Sequence, residues 1–185
     1  MSSRETDALP AGACAIRPGL SVVAMGVSGC GKSSIGLGLS ARSGLAFIEG
    51  DRLHPKANVE KMAAGIALTD EDRWPWLDKI GAEIAAAHAD GKAIIVACSA
   101  LKRSYRDRLR AAASGALAFV YLEGSVELLK RRMGARTGHF MPVSLLESQL
   151  KTLEVPTGEP NVVTVAIDAS IDEIVARACE GLTRL

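Results

Sequence analysis

Long apolar runs are missing from this sequence of 185 residues. Although 48% of the residues are apolar, runs such as Ala93 to Cys98 are strand-sized, and none reaches the ~20 residues of a membrane-spanning helix. A charge bias is missing too, with 22 Lys and Arg against 21 Asp and Glu. That balance points away from nucleic acid or an anionic membrane as a partner. Aromatic residues are few, 4% of the chain, and offer no platform on which bases would stack. Any anion site therefore has to be built locally. Cysteine is scarce and scattered, at Cys14, Cys30, Cys98 and Cys179. No two form a C-x-x-C pair, and the spacing suits neither zinc nor a disulfide framework. Four free thiols in a reducing cytoplasm are the expectation. Residues 1–19 lack a basic segment followed by an apolar one, so no secretory signal is visible. They read as a flexible tail ahead of a single domain over 20–185.

What is present is alternation. Apolar runs at Ser21 to Met25, Leu45 to Ile48, Ala93 to Cys98, Leu117 to Leu122 and Val162 to Ile167 read as strands covered on both faces. Helical spacing fills the gaps: Trp74, Leu77, Ile80 and Ile84; Val126, Leu129 and Met133; Val143, Leu146, Leu150 and Leu153. The segment from Ser170 to Leu182 starts with a capping-box pattern, Ser170 with Glu173 three residues on. Strand–helix alternation predicts an α/β fold, a parallel sheet with helices on both faces.

Gly26-Val27-Ser28-Gly29-Cys30-Gly31-Lys32-Ser33 matches G-x-x-x-x-G-K-[ST], after a predicted strand and at the start of a predicted helix. The glycines let backbone N–H groups turn toward phosphate oxygens, and the helix N-terminus adds partial positive charge. Lys32 can reach the β- and γ-phosphates of a nucleotide, and the Ser33 hydroxyl can hold Mg²⁺. Ser34, next in the chain, completes the candidate nucleotide-binding set. Cys30 is either a thiol activated by the helix N-terminus or a small residue filling its slot, the second being the simpler reading.

A phosphate loop specifies a nucleotide, not a reaction. Glu49-Gly50-Asp51 closes the second strand, at the sheet end where ligands gather. A carboxylate at Asp51 can orient an acceptor hydroxyl or take its proton; the plain alternative is a turn aspartate. His54, Asn58, Lys61, Arg73, Lys102 and Arg106 are candidate donors to a polyhydroxy, anionic acceptor. For Lys61 and Arg73 the alternative is surface ion pairing; for Lys102 and Arg106, a solvated helix face; for Asp70, a helix cap. Arg132 and Arg136, four apart on one predicted helix face, can clamp phosphates, an effect on the order of 10³–10⁵ in rate. Gly134 and Gly138 nearby would let such a lid hinge.

Four longer motifs carry a resemblance. Gly-Asp-x-x-His-Pro at 50–55, Asn-x-x-Lys-Met-x-x-Gly at 58–65, Leu-x-Asp-x-Asp-Arg-x-Pro-Trp-Leu at 68–77 and Cys-Ser-Ala-Leu-Lys-x-x-Tyr-Arg at 98–106 resemble the gluconate kinase family. The likeness continues through Gly138 to Pro142, Ser148-Gln149 and Thr152-Leu153-Glu154, and covers about residues 21–183. Two positions depart from the family pattern, Glu49 for a shorter Asp and Cys30 for Ser. Neither removes a group the chemistry needs.

The resemblance implies a three-layer P-loop kinase fold with a small helical lid. With the right-handed crossover rule it implies strand order 2-3-1-4-5. It also implies ATP with Mg²⁺ as donor, D-gluconate as acceptor, 6-phosphogluconate as product and a homodimer; the cysteine usage adds the expectation of a cytoplasmic setting. Lys32, Asp51, Arg132 and Arg136 become the expected catalytic groups. A kinase of another small acid or polyol such as shikimate, and an ATP-sensing regulator, are the alternatives. The regulator is disfavoured because loop lysine, acceptor-side carboxylate and lid arginines are all present.

Overall fold

The computed structural model of the chain describes residues 12–134 and 143–185. Five strands form one parallel sheet: β1 (Ser21–Met25), β2 (Ala46–Glu49), β3 (Ile94–Ala97), β4 (Leu117–Glu123) and β5 (Val162–Ala166). Their order across the sheet is β2-β3-β1-β4-β5, as expected. The three inner strands are almost wholly buried, which explains their uninterrupted apolar sequence. The edge strands β2 and β5 are only partly covered.

Helices α1 (Lys32–Ser43) and α7 (Ile171–Thr183) pack together on one face. Helices α3 (Asp70–Ala89) and α4 (Arg103–Ala112) pack together, with α3 against β3. The predicted stripe of α3 holds: Leu77, Ile80 and Ile84 are buried, and Trp76 joins them. Helix α7 carries the expected capping box, with Ser170 accepting from the Glu173 amide. In α3 the N-cap is Thr69, in a capping box with Asp72, so Asp70 is a first-turn residue and not the cap. The described residues also form α2 (Lys56–Ala63), α5 (Val126–Gly134) and α6 (Val143–Thr152).

Two expectations are corrected at the N-terminal side. Cys14 is buried, its amide donates to the Arg42 carbonyl at 2.9 Å, and Ile16 packs on the core. Cys14 and Ile16 are therefore packed on the domain, although composition placed both in a flexible tail through residue 19. Cys14 is also paired with Cys179 of α7 as a disulfide, Cα atoms 5.2 Å apart, so only Cys30 and Cys98 are free thiols. The partners lie 165 residues apart, which no spacing rule in the sequence would reveal.

Candidate active site

The chain turns out of β1 at the middle of the sheet, with β3 on one side and β4 on the other. The strand order reverses there, leaving a crevice beyond the strand ends. Residues 26–31 fill it. Gly26 and Gly31 have φ of 143° and 98°, values that side chains rarely adopt. A Cβ on Gly26 would also lie 3.1 Å from the Leu122 carbonyl. Gly31 caps α1 without a side-chain partner, so the first-turn amides face the loop's concave side. The Gly26 amide ties the loop to the end of β3 through the Ser99 carbonyl at 3.3 Å. Lys32 Nζ rests 3.1 Å from the Val27 carbonyl. Ser33 stands exposed in the first turn of α1. Cys30 is fully buried and burial pushes its thiol pKa up, against the pull of Lys32. Cys30 is thus a packed small residue rather than an activated thiol.

One cleft opens from this loop. Ser28, Lys32, Asp51, His54 and Arg73 from the expected set line it, together with Trp76, Ser99, Ser148 and Gln149. Asp51 enters on a 3-10 turn, Gly50–Leu53, directly after β2. The turn is pinned by Trp76, whose Nε1 donates to the Gly50 carbonyl at 2.8 Å. His54 stacks on the same indole, centroids 4.0 Å apart, and its Nε2 lies 4.0 Å from Asp51 Oδ1. Burial drops its pKa to about 4, with Asp51 opposing and Arg73 and Lys79 assisting. His54 is therefore neutral near pH 7. Asn58 is buried behind His54, its Nδ2 held by the Asp72 carbonyl at 2.8 Å.

Three expected acceptor cations are committed elsewhere. Lys61 pairs with Asp72 at 2.7 Å. Lys102 pairs with both oxygens of Asp70 at 2.8 Å; that bond, then one from Tyr105, holds the Asp70 carboxyl below its ordinary range. Arg106 is fully buried and bonds Glu159 and the carbonyls of Ala100, Leu101 and Glu154. It belongs to the frame, not to the cleft. Arg73 differs: it faces the cleft, and its hydrogen bond goes to the neutral Tyr105 hydroxyl at 3.0 Å.

On the lid side, α5 packs against Gly29, where a Cβ would meet Met133 at 2.9 Å. Arg132 on this helix donates to the Ile167 carbonyl at 2.7 Å and borders a second, shallow concavity with Asp168 and Ala169. Arg136 and the segment Gly138 to Pro142 lie outside the described residues. Sequence reasoning gave Gln149 no role. Its Oε1 accepts from the Ser28 amide at 2.6 Å, which brings α6 onto the phosphate loop. The only signal for it was its place in a family motif.

Residues 22–156 match the AAA domain family. A gluconokinase of Gluconobacter oxydans is 48% identical over 149 residues, 78% of this chain and 81% of its own length. The thermoresistant gluconokinase of Escherichia coli is 41% identical over 163 residues, 88% of this chain and 93% of its own. Among solved structures, a gluconokinase from Sinorhizobium meliloti superposes with a TM-score of 0.84 at 54% identity, covering 91% of this chain and 94% of that one. The chain therefore belongs to the AAA domain family and, through these relatives, to the gluconokinase family.

Proposed function

We propose that this protein is a gluconokinase, transferring the γ-phosphoryl group of ATP to the 6-hydroxyl of D-gluconate to give 6-phospho-D-gluconate and ADP. The observation that carries the reading is one cleft holding the phosphate-loop lysine, a strand-end carboxylate and an arginine whose hydrogen bond, among the described residues, goes to a tyrosine hydroxyl. The gluconokinase relatives supply the acceptor's identity.

The loop amides and Lys32 hold the phosphates. Asp51 takes the proton as the acceptor's O–H bond breaks and its oxygen bonds to the γ-phosphorus. The bond from that phosphorus to the bridging oxygen breaks, and ADP leaves with the electron pair. Arg73 receives the acceptor's carboxylate, as a planar guanidinium suits. His54 contacts a hydroxyl. Stabilising charge on the transferring phosphoryl group is the role proposed for Arg132 and Arg136. The concavity beside Arg132 and Asp168 is where the base end of ATP lies.

Among the described residues no cluster of three or more His, Cys, Asp or Glu is placed to cage a metal. Mg²⁺ is held mainly by substrate phosphates, water and one or two protein oxygens. Ser33 supplies such an oxygen. When bound, the ion neutralises charge on the phosphates.

Among the described residues no helix is long and apolar enough to cross a membrane. A cytoplasmic homodimer completes the reading, and gel filtration with fractionation tests it. The central test is Mg²⁺-dependent ADP release with D-gluconate, its epimers, shikimate or no acceptor. Turnover with D-gluconate alone supports the proposal. Preference for another acceptor replaces the substrate, and tight ATP binding without acceptor-dependent turnover replaces the enzyme with a sensor. Asp51→Asn lowers turnover far more than ATP affinity; a near-normal rate removes Asp51 from its role.

A further inference from the structure

The geometry points to Asn58 as a positioning residue that locks His54 in a single tautomer, its one N–H on Nε2 and turned toward Asp51. The inference rests on the kinase reading for its purpose, but not for its geometry. Asn58 is buried, 3% exposed. One atom, Nδ2, lies 2.8 Å from the Asp72 carbonyl oxygen and 3.2 Å from His54 Nδ1. A backbone carbonyl only accepts, so the amide nitrogen must be the end that faces it. That nitrogen has two hydrogens: one goes to Asp72, the other to His54. An amide nitrogen does not accept, so His54 Nδ1 must be bare. A neutral imidazole then carries its proton on Nε2.

The ring is held against Trp76 by its stack, interplanar angle 16°, and Trp76 is fixed by the Gly50 carbonyl. Asp51, Arg73 and Lys79 are the charged groups acting on the imidazole, and burial outweighs Asp51 in keeping it neutral.

The separation between Nε2 and Asp51 Oδ1 is 4.0 Å, too long for a direct hydrogen bond. An oxygen lying off the line between them can sit about 2.8 Å from each. A hydroxyl at that point finds a donor for its lone pair and an acceptor for its proton. The reverse tautomer would set two acceptors against one proton and let the hydroxyl turn away from Asp51. His54 is thus an orienting donor, and Asp51 alone is left to take the proton. Asn58, beyond contact with the hydroxyl, sets this arrangement through the ring.

The test begins with ¹⁵N-labelled protein without substrate and a long-range proton–nitrogen correlation spectrum of its histidine rings. His54→Gln identifies the His54 signals among the three histidines of the chain. The expected result near pH 7 is a pyridine-like Nδ1 and a pyrrole-like Nε2. A pyrrole-like Nδ1, or averaged nitrogens, overturns the proposal. Asn58→Leu should average the two nitrogens and lower kcat about tenfold, leaving KM for ATP within about twofold. His54→Gln, which keeps a side-chain N–H, should retain several-fold more kcat than His54→Phe, which keeps only the stack. A folded Asn58→Leu protein with unchanged kcat sinks the positioning role. Should that variant not fold, the wild-type spectrum still decides. The spectrum needs no acceptor, so a correct tautomer with no gluconate turnover refutes the gluconokinase reading alone. Gluconate turnover with the wrong tautomer refutes this inference alone.

Discussion

Arg106 Nε donates to Glu159 Oε2 at 2.9 Å, with the arginine fully buried and the glutamate side chain 5% exposed. The same guanidinium ties the loop after β3 to the segment after α6 through the carbonyls of Ala100 and Glu154. Arg110 shares the glutamate at 2.8 Å. Removing one partner of a buried pair strands the other, at a cost of about 3–5 kcal/mol. Glu159→Gln should lower stability by about 3 kcal/mol in urea unfolding at pH 7. A loss under about 1 kcal/mol would mean that water reaches the pair, as at exposed ion pairs.

The same pair sets a pH dependence. Bonds from Arg106, then from Arg110, hold Glu159 at about 2, below its ordinary 4.5. A carboxyl with a lower pKa folded than unfolded stabilises the fold fully above the unfolded value. That contribution fades as pH falls from 4.5 toward 2. The stability gap between wild type and Glu159→Gln should therefore be constant from neutral pH to about pH 5 and shrink below it. Unfolding curves at stepped pH check this; a gap that widens on acidification contradicts the assignment.

Arg73 and Lys61 separate a binding cation from a structural one. Arg73 faces the cleft with a phenol as partner, whereas Lys61 is neutralised by Asp72. Arg73→Lys should raise KM for D-gluconate at least about tenfold, since a charge-assisted bond is worth roughly 1.5–3 kcal/mol. Lys61→Met should change it by less than about threefold, as for a partly exposed pair. Steady-state kinetics with saturating ATP discriminate the two, and equal effects would reassign Lys61 to the acceptor.

The sheet was legible because strands covered on both faces must be apolar throughout, and the loop because phosphate binding demands glycines at fixed spacing. Sequence reasoning also named Asp51, His54 and Arg73, which line the cleft. It could not supply their partners. Lys61, Lys102 and Arg106 meet carboxylates 11, 32 and 53 residues away, and no local period encodes such distances. Gln149 reaches Ser28 across 121 residues. Only the fold decides which cation faces ligand and which faces an acid, so spacing alone left Arg73 and Arg106 equivalent.

The thiols give a countable prediction. Cys30 and Cys98 are buried, and burial pushes Cys98 up to about 12; Cys14 and Cys179 are bonded to each other. A thiol reagent should find none in the native protein. It should find two after denaturation without reductant and all four after reduction. A disulfide closing so long a loop contributes about 2–4 kcal/mol. Reduction should therefore lower the melting temperature by several degrees. Four reactive thiols on denaturation without reductant would show that the pair is not formed in the purified protein.

Gly50 is where the frame and the chemistry meet. Its carbonyl receives Trp76 Nε1, and the next residue is Asp51. A Cβ on Gly50 would overlap the Ala97 carbonyl oxygen and crowd Ile80 at 3.3 Å. That oxygen is the backbone of an inner strand, at the end of β3, so it cannot swing aside as a side-chain tip does. Gly50→Ala must therefore shift the 3-10 turn, and with it Asp51, His54 and the Trp76 contact. Overpacking of this kind costs about 1–3 kcal/mol, and a displacement of about 1 Å at a reacting group costs on the order of 10²-fold in rate. Gly44→Ala serves as the control: its φ of 76° imposes strain, but no atom lies within 4 Å of its added Cβ. The expected pattern is a comparable drop in melting temperature for both variants, with turnover collapsing only in Gly50→Ala. Normal turnover in a folded Gly50→Ala protein would show that the turn relaxes without moving Asp51, and that the close packing at Gly50 is not what positions the carboxylate.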